Sequence, residues 1–147
     1  MQHSVKFICD LKNSQQKEKA FLIALLGKGL TGETTEHLDN FNAYDVSATG
    51  STGKVSTYEI KCNTSGWTAK TFIELSKVKN GTKQDAGLSA TKADYYVFTF
   101  QYNPKFYIIR TKKLRELKYE HIYTDTGGYQ LGIILTDTLL SLCDAVI

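Results

Sequence analysis

One proline, one tryptophan and one methionine stand in this chain of 147 residues, so rigid or specialised punctuation is scarce. Cysteine is equally sparse. Cys9, Cys62 and Cys143 are odd in number, far apart and without a Cys-x-x-Cys pair. They indicate neither a disulfide framework nor a zinc site, and a reducing cytosol is the compartment expected. His3, His37 and His121 are scattered, and none is expected to serve as a ligand or a general base. No apolar run approaches the roughly 20 residues of a membrane helix, and no signal peptide is expected at the start. There is no P-loop and no Gly-x-Ser-x-Gly, so NTPase and serine-hydrolase readings have no support. A large charge excess is missing too. The formal net charge is +3, which permits a nucleic-acid partner without demanding one.

Hydrophobic residues make up 41% and aromatic residues 12% of the chain, enough for a real core. The length suits one domain spanning 1–147, with no visible linker, repeat or low-complexity segment. The most informative stretch runs from Tyr44 to Cys62. Tyr44-Asp45-Val46-Ser47-Ala48-Thr49 and Ser56-Thr57-Tyr58-Glu59-Ile60-Lys61-Cys62 both alternate with period two, and Gly50 and Gly53 lie between them. This pattern predicts a hairpin with a longer loop. Tyr44, Val46 and Ala48 share one face with Tyr58, Ile60 and Cys62. A register that buries that face brings Asp45, Glu59 and Lys61 together on the other.

Carboxylate oxygens are hard ligands for a hard cation such as magnesium. Such a cation polarises a phosphate oxygen and lowers the pKa of bound water, while a neighbouring lysine offsets developing negative charge. The plain alternative is a solvated strand face with one surface ion pair, worth only about 0–1 kcal/mol. Spacing alone does not choose between the two.

An Asp on one strand, a short turn and Glu-x-Lys on the next, here Asp45 and Glu59-Ile60-Lys61, resembles the signature of the PD-(D/E)XK nuclease superfamily. The family often has proline before its Asp, where this chain has Tyr44. The segment Gly87-Leu88-Ser89-Ala90-Thr91-Lys92-Ala93-Asp94-Tyr95-Tyr96-Val97-Phe98 is similar to the small-residue helix and following strand of phage and archaeal junction-resolving members and of some restriction enzymes. The resemblance covers roughly Glu18 to Phe100. It implies an α/β fold with a restriction-endonuclease-like αβββαβ core: a mixed central sheet flanked by helices, here with C-terminal strand and helix additions. It also implies a metal site at Asp45, Glu59 and the Ile60 carbonyl, with Lys61 catalytic and an acidic residue from the first helix assisting.

The rest of the chain fills out that plan. Asn13 or Ser14 is expected to cap a helix from about Gln15 to Leu26, ended by Gly27 and Gly29. Glu18 lies on its apolar stripe with Phe21, Leu22 and Leu25, and matches the acidic helix position of the family; a glutamate at the solvent edge is the plain reading. Leu30 to Asn42 reads as a loop or lid, with Glu33, Glu36 and Asp39 as rival acidic residues. A strand is expected near Thr71–Leu75, where Glu74 is an extra metal ligand, a network partner of Lys61 or, as the plain reading, an exposed strand residue. Trp67 is either a stacking platform or a half-buried aromatic. Lys77 to Gln84 reads as a basic loop, Ser89–Ala93 as a short helix, and Asp94–Gln101 and Lys105–Thr111 as paired strands around an Asn103-Pro104 turn. Arg110 to Lys118 reads as a basic helix, Tyr129–Leu135 as a strand, and Thr136 or Asp137 as the cap of a closing helix to Val146.

These readings converge on a metal-dependent DNA endonuclease using Mg, with Mn as a substitute. It would act as a homodimer on duplex or branched DNA in the manner of junction resolvases or small restriction-like enzymes. Lys112, Lys113, Arg115 and Lys118 are the expected phosphate contacts, with Lys77 and Lys79 as a second group. Two alternatives stand beside it: a nucleic-acid-binding module on the same fold that has lost hydrolysis, and a protein-interaction module whose acidic hairpin is surface decoration.

Overall fold

A computed structural model describes the backbone of residues 5–34, 44–63, 65–119 and 121–147. His37, Glu36 and Asp39 lie outside these residues, as do the side chains of Cys9, Asn13 and Ser14. The chain is a mixed α/β structure, rich in sheet and poor in helix. Helix α1 (Val5–Gly27) leads into strands β1 (Thr31–Thr34), β2 (Val46–Thr49), β3 (Val55–Asn63), β4 (Lys70–Lys79) and β5 (Thr82–Gln84). A 3-10 turn at Gly87–Ser89 precedes β6 (Tyr95–Phe100), β7 (Asn103–Arg110) and α2 (Thr111–Glu116). The chain closes with β8 (His121–Thr124), β9 (Tyr129–Leu135), α3 (Thr136–Ser141) and β10 (Ala145–Val146).

Two sheets form. The first has six strands in the order β1-β2-β3-β6-β7-β10, and the second has four in the order β5-β4-β9-β8. The first is mixed because β3 and β6 run parallel while its other neighbours are antiparallel. Alternation along β2 and β3 sorts the side chains as expected: Val46, Ala48 and Tyr58 join one buried cluster with Phe21, Leu25 and Val97. In that cluster the Phe21 ring meets Tyr58 edge-on at 5.1 Å and Phe106 at 5.3 Å, so α1 covers this face. The opposite face carries Tyr96 and Phe98, which pack with Ile73 from β4, Leu114 from α2 and Leu139 from α3.

Several expectations need correction. Helix α1 starts at Val5 and passes through Asn13 and Ser14, so neither residue is its cap. Part of the expected loop is β1, paired to β2 through Gly32 opposite Ala48, where a Cβ would crowd the Ser47 carbonyl. The strand after the Glu-x-Lys hairpin belongs to the second sheet, because β4 finds its partner in β9 rather than in β3. Lys77–Gln84 forms a hairpin, turning at Asn80 and Gly81, both with positive φ. The β6–β7 turn lies at Gln101-Tyr102, with Tyr102 at φ 68°, and Asn103-Pro104 opens β7. Short α3 stops at Ser141 and the chain then returns as an edge strand on β7. Asp144 fixes that return: its backbone donates to the Ile108 carbonyl, and its carboxylate accepts from the Arg110 N–H at 2.8 Å and the Lys113 ammonium at 3.0 Å. Among the described residues no helix is long and apolar enough to cross a membrane.

Gly87 shows how tightly the turn before β6 is held. Its φ is +53°, and an added Cβ would meet the Glu74 carbonyl oxygen and stand 2.7 Å from the Glu74 Cγ. Gly87→Ala is expected to destabilise the fold by about 1–3 kcal/mol, from αL strain and backbone displacement together. Urea unfolding of the two proteins checks this, and an unchanged midpoint contradicts it.

Candidate active site

The site begins where β2 ends. The strand pairing stops at Val46 opposite Tyr58, with the Asp45 N–H still donating to the Tyr58 carbonyl at 2.9 Å. One step further along β3 the Ile60 N–H has no strand partner on that side. It donates to the Asp45 Oδ2 at 2.8 Å instead. Asp45 therefore satisfies the strand edge with one carboxylate oxygen. In an extended strand the N–H and C=O of one residue point the same way, so the Ile60 carbonyl faces the Asp45 side.

Glu59 and Lys61 are positioned by the parallel pairing with β6. Glu59 lies beside Tyr96 and Lys61 beside Phe98, on the face away from α1. The Lys61 ammonium is 3.4 Å from the Glu59 carboxylate. The Glu59 side chain keeps 20% of its exposure, and Lys61 keeps 42%. Burial pushes the Glu59 carboxyl up to about 7, and the Asp45 charge adds to the rise, while Lys61 only partly opposes it. Asp45 is also raised, first by burial, against the Ile60 N–H and the Lys61 charge. Two carboxyls that both resist ionisation so close together make a site that a divalent cation would relieve, and their oxygens are the donors such a cation prefers.

Glu74, on β4, raises the Glu59 carboxyl further. Tyr96 completes the surroundings: its hydroxyl is pushed far up by burial, then by the charges of Glu59 and Glu74. Glu74 was visible in the sequence as a weak candidate. Tyr96 was not, because an apolar strand of tyrosine and phenylalanine reads as core. Among the described residues no group of three or more His, Cys, Asp or Glu gathers at metal-binding spacing. Asp45, Glu59 and the Ile60 carbonyl are the oxygen donors that this face offers to a cation. Glu18 is half-buried on α1, which covers the sheet face opposite Glu59 and Lys61.

The basic residues fall into two kinds. Arg115 is exposed, yet its guanidinium donates to the Leu88 carbonyl at 3.0 Å and the Thr91 carbonyl at 2.9 Å, so it pins the turn before β6. Lys113 holds the Leu142 carbonyl and Asp144. Lys112 pairs with Glu116 at 3.9 Å on the exposed side of α2, and Lys118 and Lys79 are exposed. Lys77 stands over the Tyr129 ring at 4.8 Å. Asp94, from the strand-opening motif, ties β6 to β3: its Oδ2 accepts from the Thr57 N–H at 3.0 Å.

A cleft of about 390 Å³ adjoins the site, lined by Lys61, Lys70, Phe72, Glu74, Tyr96 and Phe98 among others. No protein-family model, curated protein or solved structure matches this chain, so the geometry of Asp45, Glu59 and Lys61 is what speaks for its chemistry.

Proposed function

We propose that the protein is a metal-dependent endonuclease that hydrolyses phosphodiester bonds of DNA, with Mg as its cofactor and Mn as a substitute. One observation carries this reading. Asp45 and Glu59 converge on one face where β2 parts from β3, with Lys61 ion-paired beside them. The succession α1, β1, β2, β3 and then β6 parallel to β3 supports it as well, since it follows the order of the PD-(D/E)XK core. In that comparison β4, β5 and the 3-10 turn stand where the family has a helix. A bound cation would supply Lewis-acid polarisation of the phosphate and an acidic water. Asp45, Glu59 and the Ile60 carbonyl would hold it. The Ile60 N–H orients the Asp45 carboxylate, and Lys61 places a positive charge where negative charge develops on the phosphate.

The working unit in this reading is a homodimer, because one site most simply cuts one strand and a two-fold axis would present two sites to symmetry-related phosphates. The deciding experiment incubates labelled linear, nicked, branched and single-stranded DNA with the protein in Mg, Mn or EDTA. Cleavage in Mg that EDTA abolishes is expected. Failure to cut any of these DNAs in either metal leaves a binding module as the better reading. Sedimentation tests the dimer, and a strictly monomeric protein removes paired cutting.

A further inference from the structure

The cleft beside Lys61 is more than an entrance. At about 390 Å³ it lies at the small end of the roughly 300–1,000 Å³ typical of small-ligand clefts, too small for a double helix. Its inner wall is aromatic, with Phe98 and Phe100 from β6 almost fully buried. At its rim stands Phe72 on β4, whose neighbour Ile73 packs inward and which keeps 56% of its exposure although it is apolar. Lys61 and Lys70 set two positive charges in the lining against one carboxylate, Glu74. Register extends that rim, since Phe72 lies opposite Ile133 and Lys70 opposite Leu135, and Leu135 is half exposed. A guest for such a cleft is flat, has an apolar face and carries negative charge. A simple anion uses the lysines but not the aromatic walls, and an apolar ligand leaves the lysines idle.

Building on the nuclease reading, we propose that this cleft receives one unpaired base of a DNA strand whose backbone phosphate rests at Lys61. The substrate class is then DNA with unpaired stretches, such as a flap or a branch point, rather than intact duplex. Stacking on Phe72 tolerates any base, because every base has a π face, and Lys70 follows the backbone as it leaves. An intact duplex would first have to unpair and unstack the base, which sets the preference.

The test measures binding of a labelled oligothymidylate and of a blunt duplex of equal length in EDTA, then cleavage of both in Mg. The single strand is expected to bind about tenfold or more tightly than the duplex. Phe72→Ala is expected to weaken single-strand binding by between about fivefold and 150-fold, in keeping with the loss of one base–aromatic stack. Phe72 is exposed, so its truncation spares the core. Ile23→Ala, an exposed change on α1 at the opposite face, is expected to leave binding unaltered. Equal affinity for both DNAs, or a Phe72→Ala protein that binds single strands normally, overturns the proposal. Duplex cut as fast as single strand overturns it too, while leaving the nuclease reading intact. A single-strand preference lost in Phe72→Ala without any metal-dependent cleavage supports the proposal for the cleft and overturns the nuclease reading instead.

Discussion

Lys61→Ala is expected to fold, to bind DNA only modestly more weakly through the loss of one phosphate contact, and to cleave on the order of 100–1000-fold more slowly, the usual cost of losing one preorganised electrostatic group. The side chain keeps 42% of its exposure, so its truncation removes charge more than packing. The loss should fall on the chemical step, lowering kcat with little change in KM. A second readout separates this from a structural defect. Lys61 lowers the Glu59 carboxyl through both its charge and its hydrogen bond. Removing it lets Glu59 rise further, so the residual activity should have a pH–rate profile displaced to higher pH. Near-normal cleavage by the folded variant removes Lys61 from the mechanism.

The second large effect is on stability. The Glu59 carboxyl sits near 7 in the folded chain against an ordinary value of 4.5, because burial and then Asp45 disfavour its charge. The folded state therefore holds a proton that the unfolded chain has already released between those values. Stability from this proton is complete below the unfolded value and is lost as pH rises through the folded one. By about 1.36 kcal/mol per pKa unit, ionising Glu59 costs the fold about 3 kcal/mol at pH above 7. Glu59→Gln, neutral at every pH, is expected to be more stable than the parent at about pH 8 and level with it near pH 4, as urea midpoints across that range would show. A difference that does not vary with pH contradicts the assignment. Magnesium is expected to stabilise the parent at the upper end of this range and to lose its effect at the lower end, since a cation must displace the Glu59 proton before it binds.

Much of the site was legible because a strand's side chains alternate strictly. Val46, Ala48 and Tyr58 are plainly apolar and Asp45, Glu59 and Lys61 plainly are not, so a single register satisfies the hairpin. The aromatic run of β6 and the apolar run of β9 declared themselves in the same way. What stayed hidden depended on partners far away in sequence. Thr31-Gly32-Glu33-Thr34 has no apolar alternation, and it becomes a strand only because β2 offers it an edge. Nothing local says that Phe72 and Ile73 pair with Ile133 and Gly132 across some sixty positions, so the second sheet was invisible as a sheet. His121–Thr124 is exposed throughout and carries no burial signal. The leucines after Thr136 read as a long helix. The pairing of the last residues with β7, and the Asp144 contacts to Arg110 and Lys113, show why the chain extends instead. The aromatic rim at Phe72 was missed for the same reason: its meaning comes from Lys61 and Phe98, which reach it only through the fold.

The parallel pairing of β3 with β6 carries a consequence for the order in which the molecule assembles. The β2–β3 hairpin closes across a short turn and can form within microseconds. Tyr58 and Tyr95, by contrast, are joined by a chain segment that includes all of β4 and β5, and that segment must be closed before a single bond of the parallel ladder forms. Asp45 can thus meet Ile60 early, while Glu59 and Lys61 gain their setting beside Tyr96 and Phe98 only late. The Asp94 clamp on Thr57 stands at the first rung of that late ladder. Loosening it should speed unfolding more than it slows refolding, so the chemistry of the site waits on a long-range closure and not on the hairpin that carries its residues.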